Sequence, residues 1–282
     1  MANLQRPCIM MQILNKLQEL QSAGLIFFMI IDTHCHLYLT DFDADRPAII
    51  ERANAEGVGS FYLPAIDSSI IDDMLQVEKD YPGRCFAMMG LHPCSVKENY
   101  EEELLIAEEW LGRRKFAAIG ETGLDFYWDK TFTPQQYDAF KTQVSWAKKY
   151  KIPVVIHSRQ STQECIDVIK EMHDADLTGI FHCFGGSLEE AHQITELGFY
   201  LGIGGIITYK NAGLAAVIEK LPLSVIVLET DAPYLTPVPF RGKRNESAYL
   251  KYVVQKIAEV KKISIEEVAA VTTFNARKLF ST

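Results

Sequence analysis

Eight short apolar runs punctuate the chain, at Phe28–Asp32, Ser60–Ala65, Cys85–Gly90, Phe116–Gly120, Pro153–Ile156, Gly179–Phe181, Phe199–Ile203 and Val225–Leu228, and each predicts a strand. Between them polar and apolar positions mix over helical lengths, as at Asp45–Ala55, Pro134–Tyr150, Thr162–His173 and Leu188–Leu197. Strands alternating with helices imply βαβ crossovers and a parallel sheet covered on both faces, which is why the runs are almost continuously apolar. Eight such units predict an α/β fold of the (β/α)8 TIM-barrel type, and its usual size of about 250 residues matches the span from Ile30 to Phe280. An open doubly wound sheet is the competitor. Neither G-x-G-x-x-G nor G-x-x-x-x-G-K-[ST] follows an early strand, so dinucleotide and P-loop sites lack support. Two further helices are expected after the last strand, Glu246–Lys261 and Ser264–Lys278, the second opened by Ser264 and Glu267 in capping-box spacing. No internal repeat or linker interrupts the pattern, so residues 30–282 are expected to form a single barrel domain.

The amino end reads differently. Residues 1–29 are expected to form an extension outside the main fold, with Met10, Ile13, Leu14 and Leu17 spaced as one face of a short amphipathic helix. Lys16, Gln18 and Glu19 break the apolar stretch that a signal peptide needs. The run from Leu25 to Ile31 is far shorter than the roughly 20 residues of a membrane helix, so no membrane association is expected. Met29 stands as an alternative start of the chain.

Composition narrows the picture without deciding it. At 282 residues, with 48% hydrophobic and 23% charged positions, the chain has material for a sizeable core, which excludes disorder and fibrous repeats. A net charge of −9 works against passive adhesion to duplex DNA or an anionic membrane, so any nucleic-acid contact must be local. The six cysteines are far apart and form no C-x-x-C pair, which argues for a reducing, cytoplasmic setting.

The chemistry is concentrated at strand ends. Of seven histidines, His34, His36, His92, His157 and His182 fall at the carboxyl ends of predicted strands, while His173 and His192 fall on helices and read as surface. In a parallel barrel those ends open on one face, where active sites assemble. His34 and His36, two apart on extended chain, project to the same side and can grip one ion, although strand-end histidines can also be simple hydrogen-bonding groups. Glu121 ends the fourth predicted strand and Asp231 follows the eighth. Ionised groups there are costly unless paired or bound to metal. Together His34, His36, Glu121, His157, His182 and Asp231 offer four imidazoles and two carboxylates, enough for two divalent cations if Glu121 bridges them. Mixed nitrogen and oxygen donors suit Zn, Mn, Fe or Co ions better than Ca, with Mg usually preferring more oxygen and water. Two such ions can hold a hydroxide nucleophile and stabilise an in-line phosphoryl displacement, and a carboxylate touching that hydroxide can take its proton.

These residues sit in the segments Ile31-Asp32-Thr33-His34-Cys35-His36-Leu37, Gly90-Leu91-His92-Pro93, Ile119-Gly120-Glu121-Thr122-Gly123-Leu124-Asp125, Val155-Ile156-His157-Ser158-Arg159, Phe181-His182-Cys183-Phe184-Gly185-Gly186 and Leu228-Glu229-Thr230-Asp231-Ala232-Pro233-Tyr234-Leu235. In that order, from about Ile30 to Phe280, the chain resembles the TatD-related metal-dependent hydrolases. The resemblance implies a TIM barrel with a binuclear divalent-metal site and deoxyribonuclease activity, acting on DNA that is single-stranded or at 3′ ends. It implies His34 and His36 on one metal, His157 and His182 on the other, Glu121 bridging, and Asp231 completing the first site and serving as base. Two positions depart from the family pattern, Gln160 where an aspartate is common and Phe240 where histidine or tyrosine is common. Neither is a proposed ligand, so they bear on substrate choice.

Further groups read as substrate contacts with plain structural alternatives. His92 can donate to a phosphate or orient a ligand, and Arg159 can clamp a phosphate or join an ion pair. Asp125 can hydrogen-bond nearby ligands. Arg241, Lys243 and Arg244 supply local positive charge or a solvated loop. Tyr127, Trp128 and Tyr234 can stack bases or pack. Cys35 and Cys183 read as core. The expected function is a metal-dependent deoxyribonuclease acting on DNA ends, with no obligate protein partner. Rival readings are an amidohydrolase-like enzyme on a C–N or ester bond, an aminoacyl-tRNA deacylase, and a binding protein that has lost catalysis. Glu121 stands where amidohydrolases often carry a carboxylated lysine, which favours the nuclease.

Overall fold

The computed structural model describes residues 29–281. The expected amino-terminal extension and its helix through Met10 to Leu17 lie outside the described residues. Strands β1 (Ile30–Asp32), β2 (Val58–Pro64) and β3 (Cys85–Met88) form one parallel sheet. Strands β4 (Ile119–Asp125), β5 (Val154–Arg159), β6 (Gly179–Phe181), β7 (Tyr200–Ile203) and β8 (Ile226–Leu228) form another, each paired with the next. Isolated parallel bridges, Met89 with Ile119 and Cys35 with Ala232, join the two sheets at both seams. There the Gly120 N–H donates to the Met89 carbonyl at 2.9 Å, the Thr33 N–H to Leu228 at 2.9 Å, and the His36 N–H to Ala232 at 2.8 Å. The eight strands thus follow the expected barrel order.

Seven helices fill the crossovers: α1 (Arg46–Ala55), α2 (Ile71–Asp80), α3 (Tyr100–Arg113), α4 (Thr133–Tyr150), α5 (Thr162–Met172), α6 (Leu188–Glu196) and α7 (Leu214–Lys220); α8 (Leu250–Lys261) and α9 (Ile265–Phe280) follow β8. Helix α3 opens with Glu101, Glu102 and Glu103, whose charges favour the positive end of the helix dipole. Ser264 caps α9 by one bond, its hydroxyl accepting from the Glu267 N–H at 3.1 Å. The reciprocal capping box forms at α6 instead, between Ser187 and Glu190.

The barrel interior is a layer of Ile31, Tyr62, Met88, Val155, Ile180 and Val227, closed from below by α9 through Leu279 and Phe280. The Phe280 ring stacks on Tyr62 at 3.8 Å. A second core lies between the strands and their helices, with Phe61, Phe140, Ile156 and Phe199 among its buried members. Aliphatic and aromatic side chains therefore fill the floor, leaving the carboxyl ends of the strands to polar groups.

Two strands run further than the apolar pattern predicts. β4 continues past Gly120 to Asp125, and β5 continues past Ile156 to Arg159, so Glu121 and His157 lie within strands rather than after them. Conversely β1 ends at Asp32, and His34 and His36 stand in irregular chain held by the Cys35 bridge and by single backbone hydrogen bonds to Leu228, Ala232 and Asp231.

Candidate metal centre

The centre is organised around Glu121, whose carboxylate is buried at the barrel mouth. β4 reaches this position because glycines let it run close to β5. A Cβ on Gly123, at φ +137°, would stand 2.1 Å from the His157 carbonyl oxygen. The two carboxylate oxygens face different partners. Oε2 lies 3.1 Å from His34 Nε2 and 3.8 Å from His36 Nε2, while Oε1 lies 2.8 Å from His157 Nδ1, 2.7 Å from His182 Nε2 and 3.4 Å from His92 Nε2. Asp231 Oδ1 approaches the first side, 3.4 Å from His36 Nε2 and 3.7 Å from His34 Nε2. Asp231 has a left-handed backbone at φ +55°, a conformation uncommon outside glycine that here aims its side chain inward while its N–H donates to the His34 carbonyl at 2.9 Å.

Hydrogen bonds at the far ring nitrogens decide what each imidazole offers. The Tyr38 hydroxyl donates its single proton to the Pro64 carbonyl at 2.6 Å, so at 2.7 Å it accepts from His36 Nδ1–H, and His36 Nε2 keeps a lone pair toward the centre. His157 donates from Nε2 to Asp125 Oδ2 at 2.9 Å, which leaves Nδ1 facing Glu121. His92 is the opposite case. Its Nδ1 accepts from the Cys94 N–H at 3.0 Å, so its proton sits on Nε2, and it presents a donor to the centre although it is near enough to share an ion with Glu121 and His157.

Charges follow the same arrangement. Burial opposes the charged form of Glu121, but His182, His92 and His34 together outweigh it and hold the carboxyl well below its usual range. Burial likewise opposes the charge on Asp231, and the His36 hydrogen bond with the nearby imidazoles lowers its carboxyl overall. Burial and the neighbouring His182 push His34 down, toward the neutral ring a metal ligand needs. Behind them, burial raises Asp32 to about 7, against hydrogen bonds from Ser247 Oγ at 2.6 Å and Thr230 Oγ1 at 2.7 Å.

Whether these residues suit metal ions can be tested on their unpaired atoms. Both ring nitrogens of the fully buried His34, Nδ1 of His182 and Oε2 of Glu229 have no hydrogen-bond partner. Unpartnered buried polar atoms are rare because they forfeit hydration for nothing, and a cation held here would remove that cost for His34 Nε2, the one of them that faces Glu121. The clusters His34–His36–Glu121, His34–His182–Asp231 and His92–Glu121–His157 each bring their ligand atoms within 4.8 Å of one another. The chain therefore carries clusters able to hold metal ions.

Two carboxylates stand behind the centre: Asp125, expected from the sequence to hydrogen-bond nearby ligands, and Glu229, to which the motif pattern gives no such role. Asp125 accepts from His157 and, through Oδ1, from the Tyr127 and Trp128 N–H groups at 2.9 and 3.0 Å. Glu229 is fully buried, with Oε1 3.5 Å from His182 Nδ1 and accepting the Cys183 N–H at 2.5 Å. Its space depends on Gly202, where a Cβ would come within 2.2 Å of Glu229 Oε2. The available signal is an acid placed two residues before Asp231 at the end of an apolar strand. Replacing Asp125 with alanine is expected to weaken metal affinity by roughly 10–100-fold, the usual value of a carboxylate that orients a ligating histidine; isothermal titration with a divalent ion measures it, and unchanged affinity would deny Asp125 that task.

A cleft of about 530 Å³ opens over the centre, bordered by His36, His92, Arg159, Trp128 and Tyr234. Arg159 is on its rim. Arg241 is not among the residues bordering the cleft; it is exposed, with its guanidinium 4.3 Å from the Tyr209 ring. Arg244 is occupied by Asp45 at 2.8 Å. Phe240 stacks on Tyr249 at 4.6 Å. His173 and His192 are exposed, and Cys183 is only half-buried, at φ +49°, rather than core.

Comparison with known proteins finds metal-dependent hydrolases. The family model described as TatD related DNase matches residues 31–281. A Bacillus subtilis protein described as the uncharacterized metal-dependent hydrolase YabD is 40% identical over 253 residues, covering 89% of this chain and 99% of the relative. The Escherichia coli metal-dependent hydrolase YjjV, likewise described as uncharacterized, is 34% identical over 254 residues, covering 89% of this chain and 97% of its own length. The crystal structure of YjjV superposes with a TM-score of 0.85 over 90% of this chain and 98% of that one, at 32% identity. Metal-dependent hydrolysis is therefore the common description of the relatives.

Proposed function

We propose, because this chain belongs to the family of TatD related DNases, that it is a divalent-metal-dependent deoxyribonuclease that cleaves phosphodiester bonds at DNA ends. The observation that carries the reading is the two-sided environment of Glu121, with His34, His36 and Asp231 on one side and His157 and His182 on the other. That division of donors favours two ions sharing one bridging carboxylate. Divalent ions, which His34, His36, Asp231, Glu121, His157 and His182 would hold, would supply positive charge to the phosphate oxygens and acidify the attacking water.

The protein's own groups do the rest. Asp231, ionised at neutral pH, accepts the proton of the attacking water. Asp125 fixes the ring of His157 by accepting its Nε2–H at 2.9 Å, and Glu229 places a carboxylate 3.5 Å behind His182. His92 directs its Nε2–H into the cleft, where it can donate to a non-bridging phosphate oxygen, and Arg159 on the rim pairs with phosphate charge. A cytoplasmic setting belongs to the same reading; the described cysteines are all free, and among the described residues no helix is long and apolar enough to cross a membrane.

Chelation is expected to abolish hydrolysis of single-stranded DNA and added divalent ion to restore it, with elemental analysis reporting the ions bound. Full activity in metal-free protein would refute the mechanism. Under equal metal loading, faster turnover of an aminoacyl ester or an amide than of DNA would replace the nuclease by the esterase or amidohydrolase alternative.

A further inference from the structure

Two aromatic groups border the cleft without being part of the core. Trp128 is 67% exposed and Tyr234 53% exposed, and both line the space above the centre. Tyr127, 49% exposed, packs its ring edge-on against Trp128 at 4.8 Å. Leaving an indole largely in water forfeits the burial that such side chains usually obtain.

Arg159 lies over these rings, its guanidinium 4.2 Å from the centre of Tyr127 and 5.4 Å from that of Trp128. In a chain with 37 acidic residues, it has no carboxylate partner among the described residues, whereas Arg52, Arg113, Arg114 and Arg244 all have one. Its donors are therefore free for a ligand, while the aromatic faces hold its plane. The ledge is also tied to the centre, because Asp125 accepts from His157 on one oxygen and from the Tyr127 and Trp128 N–H groups on the other.

A flat, exposed π-surface beside an unpaired guanidinium, both on the lip of a centre suited to phosphate chemistry, matches a ligand that joins an aromatic ring to an anion. From this we propose that Tyr127, Trp128 and Arg159 form a subsite for an unpaired nucleotide next to the scissile phosphate, Trp128 stacking on its base and Arg159 pairing with its phosphate. Tyr234 borders the opposite side, its ring 6.2 Å from that of His36. A base held in a duplex has its faces covered by its neighbours, so this subsite requires an end that is frayed or single-stranded. Stacking tolerates every base, so no sequence preference is expected. The assignment rests on the nuclease reading and adds to it which groups hold the substrate.

The test is a cycle between one side chain and one base, read as equilibrium binding. A short, hydrolysis-resistant phosphorothioate oligodeoxythymidylate and versions with an abasic residue at either end are titrated by fluorescence anisotropy onto the metal-loaded full chain. Trp128→Ala is expected to weaken binding of the intact oligonucleotide by roughly 5- to 150-fold, the value of one stacked base. It should leave binding of one of the abasic oligonucleotides nearly unchanged, and Trp128→Phe should retain most of the affinity. Arg159→Gln should reduce the slope of log affinity against log salt by about 0.7, as for one lost phosphate contact on a single strand. Equal effects of Trp128→Ala on intact and abasic DNA, or none on either, would overturn the subsite while leaving the nuclease standing if the wild type still cleaves DNA. A wild type that neither binds nor cleaves DNA would overturn both.

Discussion

Glu121→Ala is expected to strip at least one ion from the metal centre and to abolish the activity. The substitution removes the one group whose two oxygens face both donor sets, at 2.7 Å from His182 and 3.1 Å from His34. Without it the imidazoles lose the anion that makes their close approach tolerable, and any remaining ion loses a ligand. Turnover should fall by more than the roughly 10²–10³-fold that a single preorganised electrostatic group is worth. Elemental analysis is the discriminating measurement, since bound metal should fall to one ion or none per chain. Two ions retained by the variant would remove the bridging role.

Asp231→Asn should separate chemistry from architecture. Asparagine matches aspartate in shape and is among the residues that accept a left-handed backbone, so the fold, the bond from the residue 231 N–H to the His34 carbonyl and the neighbouring turn should persist. What disappears is a carboxylate able to take a proton, and the rate should drop by about 10²–10⁴-fold. Because the surrounding imidazoles overcome burial and lower this carboxyl, the wild-type group is fully ionised at neutral pH. The deficit should accordingly be constant across the neutral range, with any acid limb due to Asp231 lying below the ordinary aspartate value. Circular dichroism checks the fold and metal analysis separates loss of the base from loss of an ion on the His34–His36 side; an unaltered rate would move the base elsewhere.

The barrel was legible because its strands are buried on both faces and so appear as apolar runs. The same criterion stops at the first charge, which is why β4 appears to finish at Gly120 and β5 at Ile156. Both in fact carry polar groups toward the mouth, where partners on other strands satisfy them. Helices α2, α3 and α7 are not singled out by the pattern. The gathering of the histidines and acids follows from parallel strand order alone, since every carboxyl end opens on one rim. What order cannot convey is which ring nitrogen is already engaged. Only the Cys94 N–H shows that His92 offers a donor, and only the packing shows the Glu229 carboxylate 3.5 Å behind His182. Nor does order show that the Arg241 guanidinium lies over the Tyr209 ring.

The seam between β8 and β1 has a consequence of its own. No continuous ladder holds it; short links at Thr33, Cys35 and His36 do, reaching Leu228 and Ala232. Those stretches are the ones that present His34, His36 and Asp231. On the proposed reading, cations gripped by both stretches act as a rivet across the joint between the first and last staves, strengthening it by the ordinary mass-action rule for a ligand that prefers the closed form. Mineral supply then governs the mechanical integrity of the cylinder as well as its reactivity.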